Sequence, residues 1–278
     1  MIRNAMTVDV EDYFQVSAFE KHITRGDWER LSCRVEHNTN SILDLFAEHN
    51  VKATFFTLGW VAERYPQLIR RMVEEGHELA SHGYSHVRVT QQTPDDFRAD
   101  VSKTKHLLED IAGTEIRGYR AASYSINKEN MWALDILGET GHRYSSSIYP
   151  IKHDLYGIPD APRFSHHPMG EDGILEIPVT TLQLFGKTLP CGGGGYFRLY
   201  PYQFSRWALR HVNRADGQAG MFYFHPWEID AGQPRQQGIT FKTRFRHYLN
   251  LGKMKRRLDN LLCDFQWDRM DAIFLDHQ

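Results

Sequence analysis

The sequence predicts an α/β protein in which helices surround a barrel-like sheet of parallel strands. Short β-rich runs alternate with longer helical patterns along most of the 278 residues, and this alternation is typical of βαβ units. About seven such units are present, and no glycine-rich dinucleotide fingerprint follows the first strand, which favours a closed or nearly closed barrel over an open nucleotide-binding sheet. The length favours one large domain.

The individual elements follow from composition and periodicity. Seven runs have the apolar, β-branched and aromatic character of strands: Ala5–Val10, Ala53–Leu58, Glu78–Ser81, Ile116–Ala121, Arg143–Ile148, Leu175–Val179 and Met221–His225. Three patterns place apolar residues on one helical face: Thr39–His49, Val61–Glu75 and Pro94–Ile111. The basic, amphipathic segment Thr240–Leu262 predicts a helical pair packed on the barrel. We therefore expect a barrel over residues 1–232 and a helical extension over residues 233–278 of a single domain.

Composition restricts the class of protein. Hydrophobic residues make up 41% and charged residues 24% of the chain, which is typical of a soluble globular protein. The formal charge of −2 argues against nucleic acid as the main partner. The three cysteines (Cys33, Cys191 and Cys263) form no CxxC pair, so neither a disulfide framework nor a thiolate zinc site is indicated.

The expected location follows from the cysteines and from the first residues. MIRNAMTVDVEDYF contains neither the apolar core nor the cleavage site of a signal peptide. We expect a cytoplasmic protein. The basic C-terminal segment leaves association with the inner face of a membrane open.

Three carboxylates crowd the end of the first predicted strand. Asp9, Glu11 and Asp12 lie within four residues, and like charges at this spacing raise one another's pKa values unless a cation relieves the repulsion. A solvated acidic loop or a helix N-cap would explain the same pattern without any ligand.

Two histidines follow the third predicted strand. In SHGYSH, His82 and His86 stand four residues apart, and both imidazoles can turn toward one point. Neutral imidazole suits zinc and similar metals, and a carboxylate as third ligand leaves a position open for water. A pair of hydrogen-bonded loop histidines is the alternative without a metal.

Two further strand ends carry candidate catalytic groups. Arg120 ends the fourth predicted strand, where it could hold a carboxylate ionised and oriented. His225 ends the last one, at the edge where barrel active sites lie, and a histidine is a natural proton donor near neutral pH. The glycine run in CGGGGY (residues 191–196) predicts a tight loop beside this site.

The order of these motifs resembles the polysaccharide deacetylase superfamily, of the NodB-homology type. Within it, the runs DVEDYFQV, SHGYSH, GYRAASYSI, SSSIYPIKHDLYG, GGGGYFRLYP and YFHPWEID are similar to the exosortase-associated subgroup. The resemblance spans nearly the whole chain. It implies a distorted (β/α)7 barrel and metal-dependent removal of N- or O-acetyl groups from a polysaccharide or its lipid-linked precursor.

The resemblance also implies roles for individual residues. Asp9 matches the family's catalytic base, and Arg120 matches the arginine that orients it. His82 and His86 match the metal-binding histidines, and His225 matches the general acid. One divalent ion, expected to be zinc, is the implied cofactor.

The sequence departs from the family pattern at two positions. Many members have a metal-binding aspartate directly after the base, but here Val10 follows Asp9. The third ligand is then Glu11 or Asp12; strand alternation favours Glu11, because it shares a face with Asp9, unless a turn removes the alternation.

The second departure lies after Arg120, where Ala122 replaces the usual proline. The backbone amide that binds the oxyanion then belongs to Ser123 or Tyr124. Two other functions remain open: hydrolysis of a small ureide or amide within the same superfamily, and glycan binding by a pseudoenzyme.

Overall fold

The computed structural model describes residues 2–153 and 156–275. It contains ten strands: β1 Arg3–Val10, β2 Thr54–Thr57, β3 Glu78–Ser81, β4 Gly118–Tyr119, β5 Tyr144–Ser145, β6 Leu175–Glu176, β7 Thr181–Leu184, β8 Lys187–Pro190, β9 Met221–Phe224 and β10 Gln266–Asp268. Ten α-helices accompany them: α1 Val35–Glu48, α2 Gly59–Arg64, α3 Pro66–Glu74, α4 Pro94–Ala112, α5 Trp132–Glu139, α6 Gly194–Leu199, α7 Tyr202–His211, α8 Phe241–Tyr248, α9 Leu251–Asp264 and α10 Met270–Phe274.

The sheet is parallel and curls into a half-barrel, which confirms the predicted fold class. Eight strands form it in the order β10-β1-β2-β3-β4-β5-β6, with β9 also paired to β1. β1 is central, since it pairs with β2, β9 and β10. Strands β7 and β8 form a separate antiparallel hairpin. The carboxyl ends of β1, β3, β4 and β9 therefore meet at one edge of the barrel.

Strands β4, β5 and β6 are shorter than the sequence predicts, with two residues each. Side chains replace the backbone ladder where the strands would continue. The Glu176 carboxylate accepts the N–H groups of Ser147 and Ile148 at 2.8 and 2.7 Å, and Ser147 Oγ accepts the Ala121 N–H at 2.9 Å. A strand whose N–H groups bond to side chains cannot extend its pairing.

Two helices also differ from their predicted bounds. The predicted helix Val61–Glu75 is two helices, α2 and α3, because Pro66 cannot continue the first and occupies the first turn of the second. Helix α1 begins at Val35, four residues before its predicted start.

The C-terminal extension contributes a strand as well as helices. Residues 3–5 of β1 pair with β10, and Trp267 of β10 is buried and donates from Nε1 to the Leu261 carbonyl oxygen at 3.0 Å. Helix α9 buries one apolar face, which consists of Leu251, Met254, Leu258, Leu261 and Leu262. Among the residues that the structure describes, no helix has both the length and the apolar character needed to cross a bilayer.

Candidate active site

Asp9 and Arg120 form a fully buried ion pair at the centre of the barrel's carboxyl edge. Asp9 lies near the end of β1, and Arg120 directly follows β4. Arg120 Nη1 donates to Asp9 Oδ1 at 2.5 Å and to Thr7 Oγ1 at 2.9 Å, and its guanidinium stacks 3.9 Å from the Phe56 ring centroid. These contacts fix the carboxylate's orientation and compensate its charge.

Glu11, His82 and His86 form a buried cluster beside this pair. One ligand atom from each lies within 4.8 Å of the others, and all three residues are buried. Glu11 Oε2 lies 3.0 Å from His86 Nε2. His82 Nδ1 contacts the Arg120 carbonyl oxygen at 2.8 Å. Because that contact uses Nδ1 as the donor, the lone pair of His82 belongs to Nε2.

The loop after β3 is held in a conformation that presents both histidines. His86 has a φ of 54° and Gly83 a φ of 72°. Arg25 donates to the carbonyl oxygens of Ser85 and His86 at 2.7 and 3.1 Å. A single left-handed residue such as His86 is retained only when neighbouring contacts impose it, and it is typical of functional sites.

The three-residue cluster fits a divalent metal ion. Burial lowers the pKa of His82 and lowers that of His86 well below its usual range, so both imidazoles are neutral, as metal ligands must be. Burial also raises the pKa of Glu11 to about 7. Its Oε2 is buried and lies 3.0 Å from His86 Nε2, but no contact from the described residues has the geometry of a hydrogen bond to this oxygen. A cation would satisfy this oxygen.

The structure does not bring Asp12 to the cluster. Asp12 Oδ2 accepts the backbone N–H groups of Arg34 and Val35 at 2.5 and 2.8 Å, and its Oδ1 accepts the Tyr13 N–H at 2.8 Å. Asp12 therefore caps the N-terminus of α1 from 22 residues away in the sequence. This contact explains why α1 starts earlier than its own sequence pattern indicates.

His225 faces the two carboxylates from the opposite side of the site. It follows β9, and its Nε2 lies 3.4 Å from Glu11 Oε1 and 3.9 Å from Asp9 Oδ2. Burial lowers the pKa of His225, but the carboxylates of Glu11 and Glu228 outweigh burial and raise it to about 9. His225 is therefore protonated at neutral pH, as a proton donor must be.

Two residues that the sequence analysis missed stand behind His225. Glu228 Oε1 contacts His225 Nδ1 at 2.8 Å, and Arg198 Nε donates to Glu228 Oε2 at 2.6 Å. Burial raises the pKa of Glu228, but Arg198 and His225 outweigh burial and lower it to about 2. The one available sequence signal was the three-residue spacing of His225 and Glu228 in HPWE; Arg198 lies 30 residues upstream of Glu228.

The glycine run (residues 192–195) packs against Glu228 and against strand β9. A Cβ atom on Gly194 would lie 2.3 Å from Glu228 Oε1, and one on Gly193 would lie 2.6 Å from the Tyr223 ring. Only part of the run is loop, because α6 begins at Gly194. These glycines therefore let the chain approach Glu228 and β9 closely.

These groups line one cavity of about 200 Å³. Asp9, Glu11, His82, His86 and His225 all reach it. Its remaining walls are small or aromatic: Val16, Ser17, Ala18, Ser123, Tyr124, Tyr156, Tyr223 and Trp227. The cavity therefore presents a charged floor and aromatic walls to a ligand.

Comparison with known families separates the chain into two matched regions. A family model described as polysaccharide deacetylase matches residues 27–144. Residues 27–144, less than half of the chain, are therefore similar to polysaccharide deacetylases. A second model, described as a domain of unknown function (DUF3473), matches residues 146–275.

Curated deacetylases match part of the chain. A peptidoglycan-N-acetylglucosamine deacetylase from Bacillus cereus is 43% identical over 75 residues, which are 27% of this chain and 27% of that protein. A chitooligosaccharide deacetylase from Bradyrhizobium is 32% identical over 111 residues, or 40% of this chain and 48% of that protein. The matched regions thus cover less than half the length of either relative.

Solved structures share the fold over nearly the whole chain. A Mycobacterium smegmatis protein assigned as a polysaccharide deacetylase superposes with a TM-score of 0.62 at 19% identity, covering 98% of this chain and 89% of that one. Puue allantoinase superposes with a TM-score of 0.60 at 17% identity, covering 98% of this chain and 88% of that one. At these identities the likeness concerns the fold.

The candidate site draws on more than the matched polysaccharide deacetylase region. That region contains His82, His86 and Arg120. Asp9 and Glu11 precede it, and His225 lies within the second matched region. The site is therefore complete only when β1 and β9, which pair with each other, bring the two parts of the chain together.

Proposed function

We propose that this protein is a metal-dependent hydrolase that removes N- or O-acetyl groups from a polysaccharide or its lipid-linked precursor. One observation carries the proposal. An Arg120-bound Asp9, the cluster of Glu11, His82 and His86, and His225 line a single cavity. Such a cavity holds a base, a metal site and an acid within reach of one substrate bond. The relatives described above support this proposal, since they are deacetylases of peptidoglycan N-acetylglucosamine and of chitooligosaccharides.

Glu11, His82 and His86 would hold the metal ion, and zinc suits two imidazoles and a carboxylate. A divalent ion there supplies a Lewis acid for the acetyl carbonyl and lowers the pKa of a nearby water. The donor set supports this assignment because Glu11 Oε2 is buried without a hydrogen bond from the described residues.

Asp9 acts as the general base in this proposal. Arg120 occupies Asp9 Oδ1, whereas Oδ2 faces His225 Nε2 across 3.9 Å, so Oδ2 is directed toward the reacting atoms. It accepts the proton of the attacking water, whose oxygen bonds to the acetyl carbon. The buried guanidinium of Arg120 keeps the carboxylate from rotating out of position.

His225 acts as the general acid. Its Nδ1 is held by Glu228, which leaves Nε2 facing the cavity. Nε2 gives its proton to the leaving nitrogen or oxygen as the bond from that atom to the acetyl carbon breaks. The products are acetate and the free amine or hydroxyl of the glycan.

A backbone amide after Arg120 stabilises the oxyanion in this proposal. Ser123 and Tyr124 both have left-handed backbone conformations, with φ of 54° and 52°. The Tyr124 N–H already donates to the Ala121 carbonyl oxygen at 3.0 Å. Of the two candidates we therefore assign the role to the Ser123 N–H.

Release of acetate tests the proposal directly. The purified protein is incubated with N-acetylated chitooligosaccharides and, separately, with an O-acetylated xylooligosaccharide, and acetate is quantified. We expect Asp9→Asn to lower the rate by roughly 10²–10⁴-fold, the usual contribution of a general base. Asp110→Asn, which alters an exposed carboxylate on α4, should leave the rate unchanged.

Two outcomes would replace this function. Hydrolysis of a small ureide such as allantoin with no acetate released from either glycan would favour the small-molecule amide hydrolase. Tight binding of an acetylated oligosaccharide with no turnover would favour a glycan-binding pseudoenzyme.

A further inference from the structure

The segment of residues 231–258, here called the basic segment, concentrates positive charge. It contains eight of the chain's 33 lysines and arginines and none of its 35 acidic residues, so it carries a formal charge of +8 while the rest of the chain carries −10. The eight residues are Arg235, Lys242, Arg244, Arg246, Lys253, Lys255, Arg256 and Arg257. Such asymmetry within a nearly neutral chain produces a strong local field.

Helix α8, within the basic segment, turns two aromatic side chains toward solvent. Phe241 is 83% exposed and Phe245 is 45% exposed. They lie one helical turn apart, with ring centroids 6.4 Å apart and planes inclined by 24°. Lys242 and Arg244 lie between the two phenylalanines in the sequence, Arg246 follows Phe245, and all three basic residues are exposed. Exposed phenylalanines among basic residues are typical of helices that lie in a membrane interface.

The same helix is anchored to the candidate active site. His247 of α8 is buried and stacks on Trp227 at 4.2 Å, and Trp227 stacks on His225 at 5.1 Å. Arg198 donates to the carbonyl oxygens of His247 and Leu249 at 2.9 and 2.7 Å. A surface that binds α8 would therefore lie close to the mouth of the cavity.

We propose that α8 docks this protein on an anionic membrane, with Phe241 and Phe245 inserted among the lipid headgroups. This docking rests on the proposed function and makes its substrate more specific. A cavity held at the lipid–water boundary would act on an acetylated glycan that is attached to lipid. An anionic polymer in water would use the positive charge but would gain little from two exposed phenylalanines. The cytoplasmic leaflet, where we expect the protein, carries the required negative charge.

Sedimentation of the 278-residue chain with vesicles tests the docking. We expect binding to vesicles of mixed phosphatidylcholine and phosphatidylglycerol and none to pure phosphatidylcholine. Raising the salt from about 0.1 M to about 1 M shortens the Debye length from about 10 to about 3 Å and should release most of the protein. Equal binding to both kinds of vesicle would overturn the proposal.

Two double variants separate the aromatic contribution from the charge. Phe241→Ser with Phe245→Ser, and Arg244→Glu with Lys253→Glu, should each weaken vesicle binding roughly 10-fold or more. Phe185→Ser removes a phenylalanine that is 94% exposed on the turn between β7 and β8 and should not change binding. Circular dichroism checks that each variant is folded. Vesicle affinity unchanged in both double variants would overturn the proposal, as would binding of the parent to dextran sulfate but not to vesicles.

Turnover assays separate this inference from the proposed function. The Phe241/Phe245 variant should release acetate from a soluble acetylated oligosaccharide as fast as the parent, but roughly 10-fold more slowly from an acetylated oligosaccharide attached to lipid in anionic vesicles. If the parent bound vesicles but released no acetate from any substrate, the proposed function alone would be rejected. Equal turnover of the vesicle-bound substrate by the variant and the parent would reject the docking role alone.

Discussion

Arg198 and Glu228 form a buried ion pair in which Arg198 Nε lies 2.6 Å from Glu228 Oε2. The side chain of Arg198 is 2% exposed and that of Glu228 is 1% exposed. The pair connects the site to the C-terminal helices, because Glu228 holds His225 while Arg198 holds the carbonyl oxygens at the end of α8. The orientation of the candidate acid therefore depends on a residue of α6 and on the packing of α8.

Glu228→Gln should lower deacetylase activity at least roughly 10-fold, since a misoriented acid forfeits part of the 10²–10⁴-fold contribution of general acid catalysis. It should also change the pH profile. The Glu228 carboxylate helps to raise the pKa of His225, so its removal lowers that pKa and moves the alkaline limb to lower pH. The measurement is kcat between pH 5 and pH 10. A lower kcat with an unmoved alkaline limb would show that Glu228 has only a structural role.

Gly194→Ala should reduce activity by displacing Glu228, because the added Cβ would lie 2.3 Å from Glu228 Oε1. Gly195→Ala, one residue later in the same helix, is the matched control, since no heavy atom lies within 4 Å of its Cβ position. The control should keep full activity and gain up to about 1 kcal/mol from the better helix propensity of alanine. Acetate release and thermal unfolding of both variants check this pair, and equal activity in the two would contradict the packing argument.

Stability should fall in mild acid because of His77. Burial lowers the pKa of His77 from 6.5 to about 4, and its Nδ1 accepts the Ala53 N–H at 3.1 Å, which only a neutral imidazole can do. Below pH 6.5 the unfolded chain binds a proton that the folded protein excludes. This contribution is therefore complete above pH 6.5 and is lost as the pH falls toward 4. The loss reaches about 2 kcal/mol at pH 5.

Urea unfolding at pH 7 and pH 5 measures this effect. Buried carboxyls with raised pKa values act in the opposite direction, so the comparison is between variants. His77→Asn keeps an acceptor near the Nδ1 position without titrating, and its stability should depend less on pH than that of the parent. His22→Asn alters an exposed histidine and serves as the control. An unchanged pH dependence in His77→Asn would contradict the assignment.

The sequence was sufficient for the fold class and for the order of the seven predicted strands, which correspond to β1–β6 and β9. Strand–helix alternation is a local signal, and β3 begins and ends where the pattern indicates. The ends of β4, β5 and β6 were not predictable, because they depend on distant acceptors such as Glu176. Strand β10 was also missed, since its three residues form a strand only through pairing with β1 at the other end of the chain.

In the candidate site, too, the residues at strand ends were predictable from the sequence, whereas roles that depend on distant partners were not. Asp9, His82, Arg120 and His225 stand at strand ends, and parallel strands bring such ends to one edge. The roles of Asp12 and Glu228 depend on partners 22 and 30 residues away. Strand alternation favoured Glu11 over Asp12 for the metal, and the structure adds a physical reason, since the oxygens of Asp12 already accept three backbone N–H groups.

The affinity of two variants for zinc tests the proposed metal site most directly. The parent, Glu11→Gln and Asp12→Asn proteins are stripped of metal with a chelator and titrated with Zn²⁺ in a calorimeter. The free energy of unfolding of each metal-free protein is measured separately. We expect the parent to bind one ion, Glu11→Gln to bind at least roughly 10-fold more weakly, and Asp12→Asn to bind like the parent while losing about 1 kcal/mol of stability from the weakened helix cap. Parent-like zinc affinity in Glu11→Gln, together with its loss in Asp12→Asn, would contradict the proposed metal site.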